Sequence, residues 1–272
     1  MQRLEGPSTF ITESQARTDY MEIKIISKKK YPELKSLYKK FKVSNDAEIC
    51  LAVGGDGTFV RAARDHEGPI LPIRSGEEGS VGFYSDLTLK DLSFIEKNLG
   101  SGNYNIEHIG NKIEIIYCGK SYYAVNEALL RNSLEEISFK IYGVKDGHRD
   151  EIYPYTMSGD GALITGSIGS TAYNKSAGGP IILAPDVMCL TFLNAEGPYR
   201  NPIIFGLQMT IEIEVAKYSG MLIYDGIKIA KLNPKDKFQV RLSQKKLKII
   251  RFKERSERLS DKLDRIIKER IV

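Results

Sequence analysis

Two glycine-rich segments hold the residues whose types and spacing could do chemistry. The first, Gly54-Gly55-Asp56-Gly57-Thr58, follows the apolar run Ile49-Cys50-Leu51-Ala52-Val53 and precedes a helical pattern. Glycines there let the backbone take positive φ and approach a ligand closely. A helix N-terminus adds unpaired N–H groups and a partial positive charge, a ready phosphate site. A carboxylate beside phosphates is repelled unless it binds a metal or accepts a proton, so Asp56 argues for chemistry. A plain glycine turn, with Asp56 or Thr58 capping the helix, accounts for the same residues. The segment is neither a GxxxxGK[ST] phosphate loop nor a GxGxxG dinucleotide turn.

The second segment, GDGALITGSIGSTAYNKSAGGP, runs from Gly159 to Pro180. Its hydroxyls and backbone can bond polar ligand edges, and Tyr173 can lay a ring on a base or sugar. A run of ordinary β turns has the same composition. Between the two, Asn126-Glu127 follows the strand-like Tyr122–Val125. A carboxylate accepts from hydroxyls while an amide donates and accepts, so the pair suits a ribose diol; a polar strand end would look the same. His66, His108 and His148 are scattered and read as surface or capping residues. Cys50, Cys118 and Cys189 show no CxxC spacing and read as buried or half-buried free thiols of a reducing cytoplasm. No metal-ligand spacing is present.

These residues need elements to hold them. Ile23–Ile26, the run 49–53 and Ile70–Ile73 are short and apolar, as in parallel strands. Leu34, Leu37, Tyr38 and Phe41 mark a helix face after Pro32, and Thr88 with Asp91 forms a capping box before Leu92, Ile95 and Leu99. Residues 21 to about 100 thus form an open α/β unit. Beyond 103 the period changes to two: Ile113, Ile115, Tyr117; Ile137, Phe139, Ile141; Ile211, Ile213, Val215. Asp225-Gly226 between two apolar runs is a hairpin signal. Residues 103–250 are expected to be mostly antiparallel. From Phe252 the pattern is helical, with Leu259, Leu263, Ile266 and Ile267 as its stripe and Asp261/Arg265 and Asp264/Lys268 as i,i+4 pairs.

The chain has 272 residues, 42% hydrophobic and 28% charged, which excludes disordered, collagen-like and coiled-coil classes. A net charge of +5 is mild, and its excess gathers at Lys24, Lys28, Lys29, Lys30, Lys35, Lys39, Lys40 and Lys42. With no nucleic-acid-binding motif beside it, this reads as a solvated, phosphate-attracting face; no nucleic-acid partner is expected. No apolar run approaches the roughly 20 residues of a membrane span, so no membrane partner is expected either. Residues 1–20 read as a polar leader, with Met21 as an alternative start.

Taken together, GGDGTFVRAAR (54–64), GFYSDL (82–87), NEALL (126–130), GDGALITGSIGSTAYNKSAGGPI (159–181) and the weaker YDG (224–226) make the chain resemble the NAD kinase family, ATP- or polyphosphate-dependent. The resemblance implies an N-terminal α/β domain carrying the GGDGT turn and binding ATP (21–102). It implies a C-terminal, β-sandwich-like, NAD-binding domain (103–250) and a final helix (251–272) returning to the first domain. By motif, Asp56 would be the general base acting on the 2′-hydroxyl of the adenosine ribose of NAD. Gly54, Gly55 and Gly57, with Thr58, would make room for ATP phosphates, and Arg61 would reach one of them. Asn126, Glu127, Asp160, Thr171, Ala172, Tyr173 and Ser176 would hold the dinucleotide, with Phe83 and Tyr84 at its edge and Asp225 near the reacting centre or in a plain turn. Mg²⁺ would arrive with ATP. A cytoplasmic homodimer or homotetramer, joined through the sandwich domains, is implied. Pro72 and Arg74 stand where the family commonly has a small residue and an amide, and Ser158 where some members carry arginine. Two other readings stay open: another GGDGT kinase acting on a lipid or sugar phosphate, and a non-catalytic NAD(P)-binding sensor.

Overall fold

Apolar runs without alternation become parallel strands buried on both faces, and this decides the first third of the chain. The computed structural model describes residues 21–77, 82–132, 134–197 and 200–268, excepting the side chains of 265–267; the expected leader lies outside them. β1 (Glu22–Ser27), β2 (Lys42–Val43), β3 (Ile49–Val53) and β4 (Ile70–Arg74) pair in parallel in the order β2-β1-β3-β4, and β5 (Leu87–Thr88) pairs with the end of β4. Three helices accompany them: α1 (Lys35–Lys40), α2 (Asp56–Asp65) and α3 (Leu92–Gly100). The expected capping box forms, with Lys90 N donating to Thr88 Oγ1 and Thr88 N to Asp91 Oδ2. Two residues of the expected apolar helix faces are exposed, Tyr38 at 56% and, in the final helix, Leu259 at 44%. The turn Pro32–Leu34 is 3₁₀, with three residues per turn, so Leu34 and Leu37 stack and Tyr38 rotates outward.

The alternating segments build a sandwich. Its elements are β6 (Asn105–Tyr117), β7 (Lys120–Ala124), β8 (Glu127–Arg131), β9 (Ile137–Lys145), β10 (His148–Glu151), β11 (Met157–Gly159), β12 (Gly161–Thr165), α4 (Tyr173–Ser176), β13 (Val187–Leu193), β14 (Ile203–Gly206), β15 (Thr210–Lys217), β16 (Gly220–Tyr224), β17 (Ile227–Leu232) and β18 (Lys237–Arg251). One antiparallel sheet runs β14-β13-β12-β8-β16-β17. The facing sheet contains β9, β15, β18 and β6, and it continues into the parallel strands because Ile249 of β18 pairs with Ile70 of β4. Phe139, Ile141, Ile213 and Val240 meet Ala162, Ile164, Leu190 and Leu222 between the layers. Asp225 (φ 43°) and Gly226 (φ 78°) make the expected two-residue turn, both at positive φ.

The chain end differs from the expectation of a helix beginning at Phe252. Buried Phe252 packs edge-on to Phe94 (ring centroids 5.3 Å apart), a 3₁₀ turn spans Lys253–Arg255, and α5 (Leu259–Lys268) begins only afterwards. α5 returns to the first domain as expected, through a Lys262–Asp86 ion pair. Asp264 pairs with Lys268, while the Arg265, Ile266 and Ile267 side chains lie outside the described ones. Cys50 and Cys189 are buried thiols pushed up by burial; Cys118 is exposed, at φ 48° in the β6–β7 turn. His66 and His108 bond backbone carbonyls of Glu48 and Gly110, each at 2.8 Å.

Candidate active site

The C-terminal ends of parallel strands are where open α/β sheets bind ligands. There β3 gives way to the glycine turn. A Cβ on Gly54 would lie 2.4 Å from Thr58 Oγ1, so the turn closes onto Thr58, which is buried. Gly57 is exposed, and a Cβ there would meet nothing within 4 Å. Asp56 is the first residue of α2, where the helix dipole favours a carboxylate. Its Oδ1 accepts a hydrogen bond from Phe83 N at 3.1 Å.

The opposite wall comes from the sandwich. A Cβ on Gly169 would lie 2.0 Å from Asn126 O, so only glycine lets the GSTAY loop close on the Asn126-Glu127 strand end. Thr165 Oγ1 donates to the same carbonyl at 2.7 Å. From the β16–β17 turn, Asp225 accepts from Val125 N (2.8 Å), Asn126 N (2.8 Å) and Glu127 N (3.3 Å). Burial raises the Glu127 carboxyl to about 7, and the Asp225 charge adds to the rise. Burial also raises Asp225, against the pull of its three N–H donors. Those donors stabilise ionised Asp225, so Glu127 is the partner that takes up the proton.

Between these walls lies a cleft of about 50 Å³ lined by Asp56, Phe59, Val60, Tyr84, Asn126, Ile168, Thr171 and Ala172. Tyr84 stacks on Phe59 (5.3 Å, 25°) and meets Phe83 edge-on. Burial and the nearby Asp56 charge hold the Tyr84 hydroxyl in its neutral form. The fold thus brings together five of the expected residues, Asp56, Tyr84, Asn126, Thr171 and Ala172, with Phe83, Glu127 and Asp225 in the layer behind.

Other expected residues stand apart from this cleft. Arg61 is exposed on α2 and donates to Ser27 O, at the end of β1. Asp160 accepts from Asn194 Nδ2 at 2.7 Å. Tyr173 packs against Leu129, Leu163 and Leu193, and Ser176 is exposed at the end of α4. Pro72 lies within β4 and its carbonyl accepts from Ser85 Oγ. Arg74 reaches Glu257 at 3.5 Å, and Ser158 bonds Ser138 on β9. Residues not singled out from the sequence complete the loop. Buried Asn174 donates to Pro180 O and accepts from Thr191 Oγ1, and Ser170 Oγ receives Ile182 N. Such side chains pair with atoms that the linear sequence gives no means of locating.

Two family models match the chain: the ATP-NAD kinase N-terminal domain over residues 7–104 and the ATP-NAD kinase C-terminal domain over residues 139–252. The chain belongs to the NAD kinase family. It is therefore an enzyme, a phosphotransferase acting on NAD. It is 31% identical over 225 residues to the NAD kinase of Thermoplasma volcanium, covering 80% of this chain and 79% of that one. The NAD kinase of Sulfurimonas denitrificans is 29% identical over 222 residues, 77% and 74% of the two chains. The fold is similar to that of yeast NADH kinase complexed with NADH, with TM-score 0.74 and 18% identity over 91% of this chain and 86% of that one. It is also similar to an NAD kinase from Archaeoglobus fulgidus in complex with ATP, with TM-score 0.70 and 18% identity over 91% and 99%. No helix among the described residues is long and apolar enough to cross a membrane.

Proposed function

We propose that Asp56 is the general base that takes the proton from the 2′-hydroxyl of the adenosine ribose of NAD as that oxygen attacks the γ-phosphorus of ATP. The observation that carries this reading is the position of Asp56, on a helix N-terminus and in the wall of a cleft whose far side is Asn126, Thr171 and Ala172. The new O–P bond forms as the bond to the ADP leaving oxygen breaks, and the proton passes to the carboxylate and then to solvent. A ribose hydroxyl is a poor nucleophile at neutral pH, and a positioned base contributes about 10²–10⁴-fold. Positioning and charge stabilisation supply the rest.

ATP as donor fits the open face of Gly57 and the basic rim of Lys28 and Arg61 at the strand ends, and a structural relative was crystallised with ATP. Asn126, Thr171 and Ala172 would hold the adenosine side of NAD, with Tyr84 against it and Asp160, Tyr173 and Ser176 further along. Among the described residues no three His, Cys, Asp or Glu side chains cluster as a metal cage, and Asp225 is occupied by backbone N–H groups. Mg²⁺ would enter on the ATP phosphates, its usual mode. When bound, the ion neutralises charge developing on the transferred group.

Purified protein incubated with NAD, ATP and Mg²⁺ tests the reading directly. NADP and ADP should appear in equal amounts. Binding of NAD without turnover would instead indicate a sensor, and neither binding nor turnover a different kinase. Parallel reactions with polyphosphate and with NADH define the donor and acceptor range. We further infer a cytoplasmic homodimer or homotetramer joined through the sandwich, where Ile204 on the edge strand β14 is 50% exposed. Light scattering that reports a single 30.6 kDa chain would contradict the assembly.

A further inference from the structure

We propose that Arg251 is a positioning residue for Asp56, acting through the segment Phe83–Asp86. This rests on the reading of Asp56 as the base. At one end of that segment Phe83 N donates to Asp56 Oδ1. At the other end lies Asp86, whose side chain is 6% exposed and meets two cations. Arg251 Nη1 donates to Asp86 Oδ2 at 2.6 Å and also to Tyr84 O at 2.7 Å, while its Nε donates to Glu107 Oε2 at 2.9 Å. One planar guanidinium therefore grips a side chain and the backbone of the segment through Nη1 while Nε fixes its plane on Glu107, an orientation that a lysine ammonium cannot hold.

Lys262 plays a different part. Its Nζ lies 2.7 Å from Asp86 Oδ1, the oxygen that Arg251 does not bind. Lys262 supplies charge; Arg251 supplies direction. Arg251 closes β18, which is bound along its length to β6, including an Arg251–Asn105 pairing. A group anchored to a sheet is a firmer reference than a loop, and a base must be held closely to its productive geometry. The sandwich strand thus sets, through Tyr84 and Phe83, the orientation of a carboxylate carried by the other domain.

The test compares Arg251→Lys with Lys262→Met in the full-length enzyme. Arg251→Lys should lower kcat by about tenfold or more, the scale of a small misplacement of a reacting group, with KM for NAD and ATP changed by less than about threefold. Lys262→Met should lower the melting temperature while kcat stays within about threefold. Added to Asp56→Asn, Arg251→Lys should cost no further kcat, because two residues acting through one group are not additive. Should Arg251→Lys fail to fold, Glu107→Ala loosens the guanidinium from an exposed site and should lower kcat by about threefold. Equal kcat losses in both single variants, or an Arg251→Lys enzyme with unchanged kcat, would overturn the proposal. An Asp56→Asn enzyme with full turnover would overturn the base assignment instead, whatever Arg251→Lys does.

Discussion

Two aspartates stand in glycine turns at the ends of strands, and the fold uses them in opposite ways. Asp225, in the β16–β17 turn, directs its carboxylate at the N–H groups of Val125, Asn126 and Glu127 and so shapes the sandwich wall. Asp56, beginning α2, lines the cleft itself. Both have a glycine neighbour and both lie near Asn126. What separates them is what their oxygens already bind. A carboxylate that accepts three buried backbone donors is held as structure, whereas the one proposed as the base lines an open cleft.

The strongest test of this contrast on stability is Asp225→Ala. It leaves three backbone donors without their acceptor. At about 1.5–3 kcal/mol per charge-assisted bond, less the relieved desolvation of the carboxylate, the loss should be roughly 3–5 kcal/mol. Calorimetry should show a melting temperature lower by roughly 10 °C. Unchanged melting would mean that Asp225 does not build the wall.

Glu127→Gln sharpens the same comparison from the other side. The folded carboxyl titrates near 7 against 4.5 for the free side chain, so the native state binds the extra proton. Ionising it costs nothing below pH 4.5, the cost grows between 4.5 and 7, and it is complete above 7. Removing the titration should therefore stabilise the protein by roughly 3 kcal/mol at pH 8 and leave it unchanged near pH 4. Urea unfolding at the two pH values measures this, and a difference independent of pH would mean that burial does not raise the Glu127 carboxyl.

The smallest stability effect belongs to Asp56→Asn. The helix-dipole contribution is only about 0.3–1 kcal/mol, and the amide oxygen can still accept from Phe83 N. A loss as large as that of Asp225→Ala would put Asp56 in the structural class.

Much of this was legible in the sequence. Runs such as 49–53 and alternations such as Ile211-x-Ile213 follow from local periodicity, and the Asp225-Gly226 turn from the φ values that glycine and aspartate tolerate. The glycine turn and the GSTAY loop were legible as candidate sites because their residue types are dense in chemistry. The Asp225 network was not, since Val125 lies 100 residues away and a backbone donor leaves no trace in residue identity. Arg251 was hidden for the same reason, 167 residues from Tyr84. Tyr38 and residues 252–258 departed from the helical pattern because 3₁₀ turns and a buried phenylalanine reset the phase.

The central claim concerns one carboxylate. Asp56→Asn should be compared with the unaltered enzyme for steady-state NADP formation and for NAD binding by calorimetry. The account predicts a fall in kcat of about 10²–10⁴-fold with NAD affinity held within about twofold. An Asp56→Asn enzyme that forms NADP at nearly the original rate would contradict it.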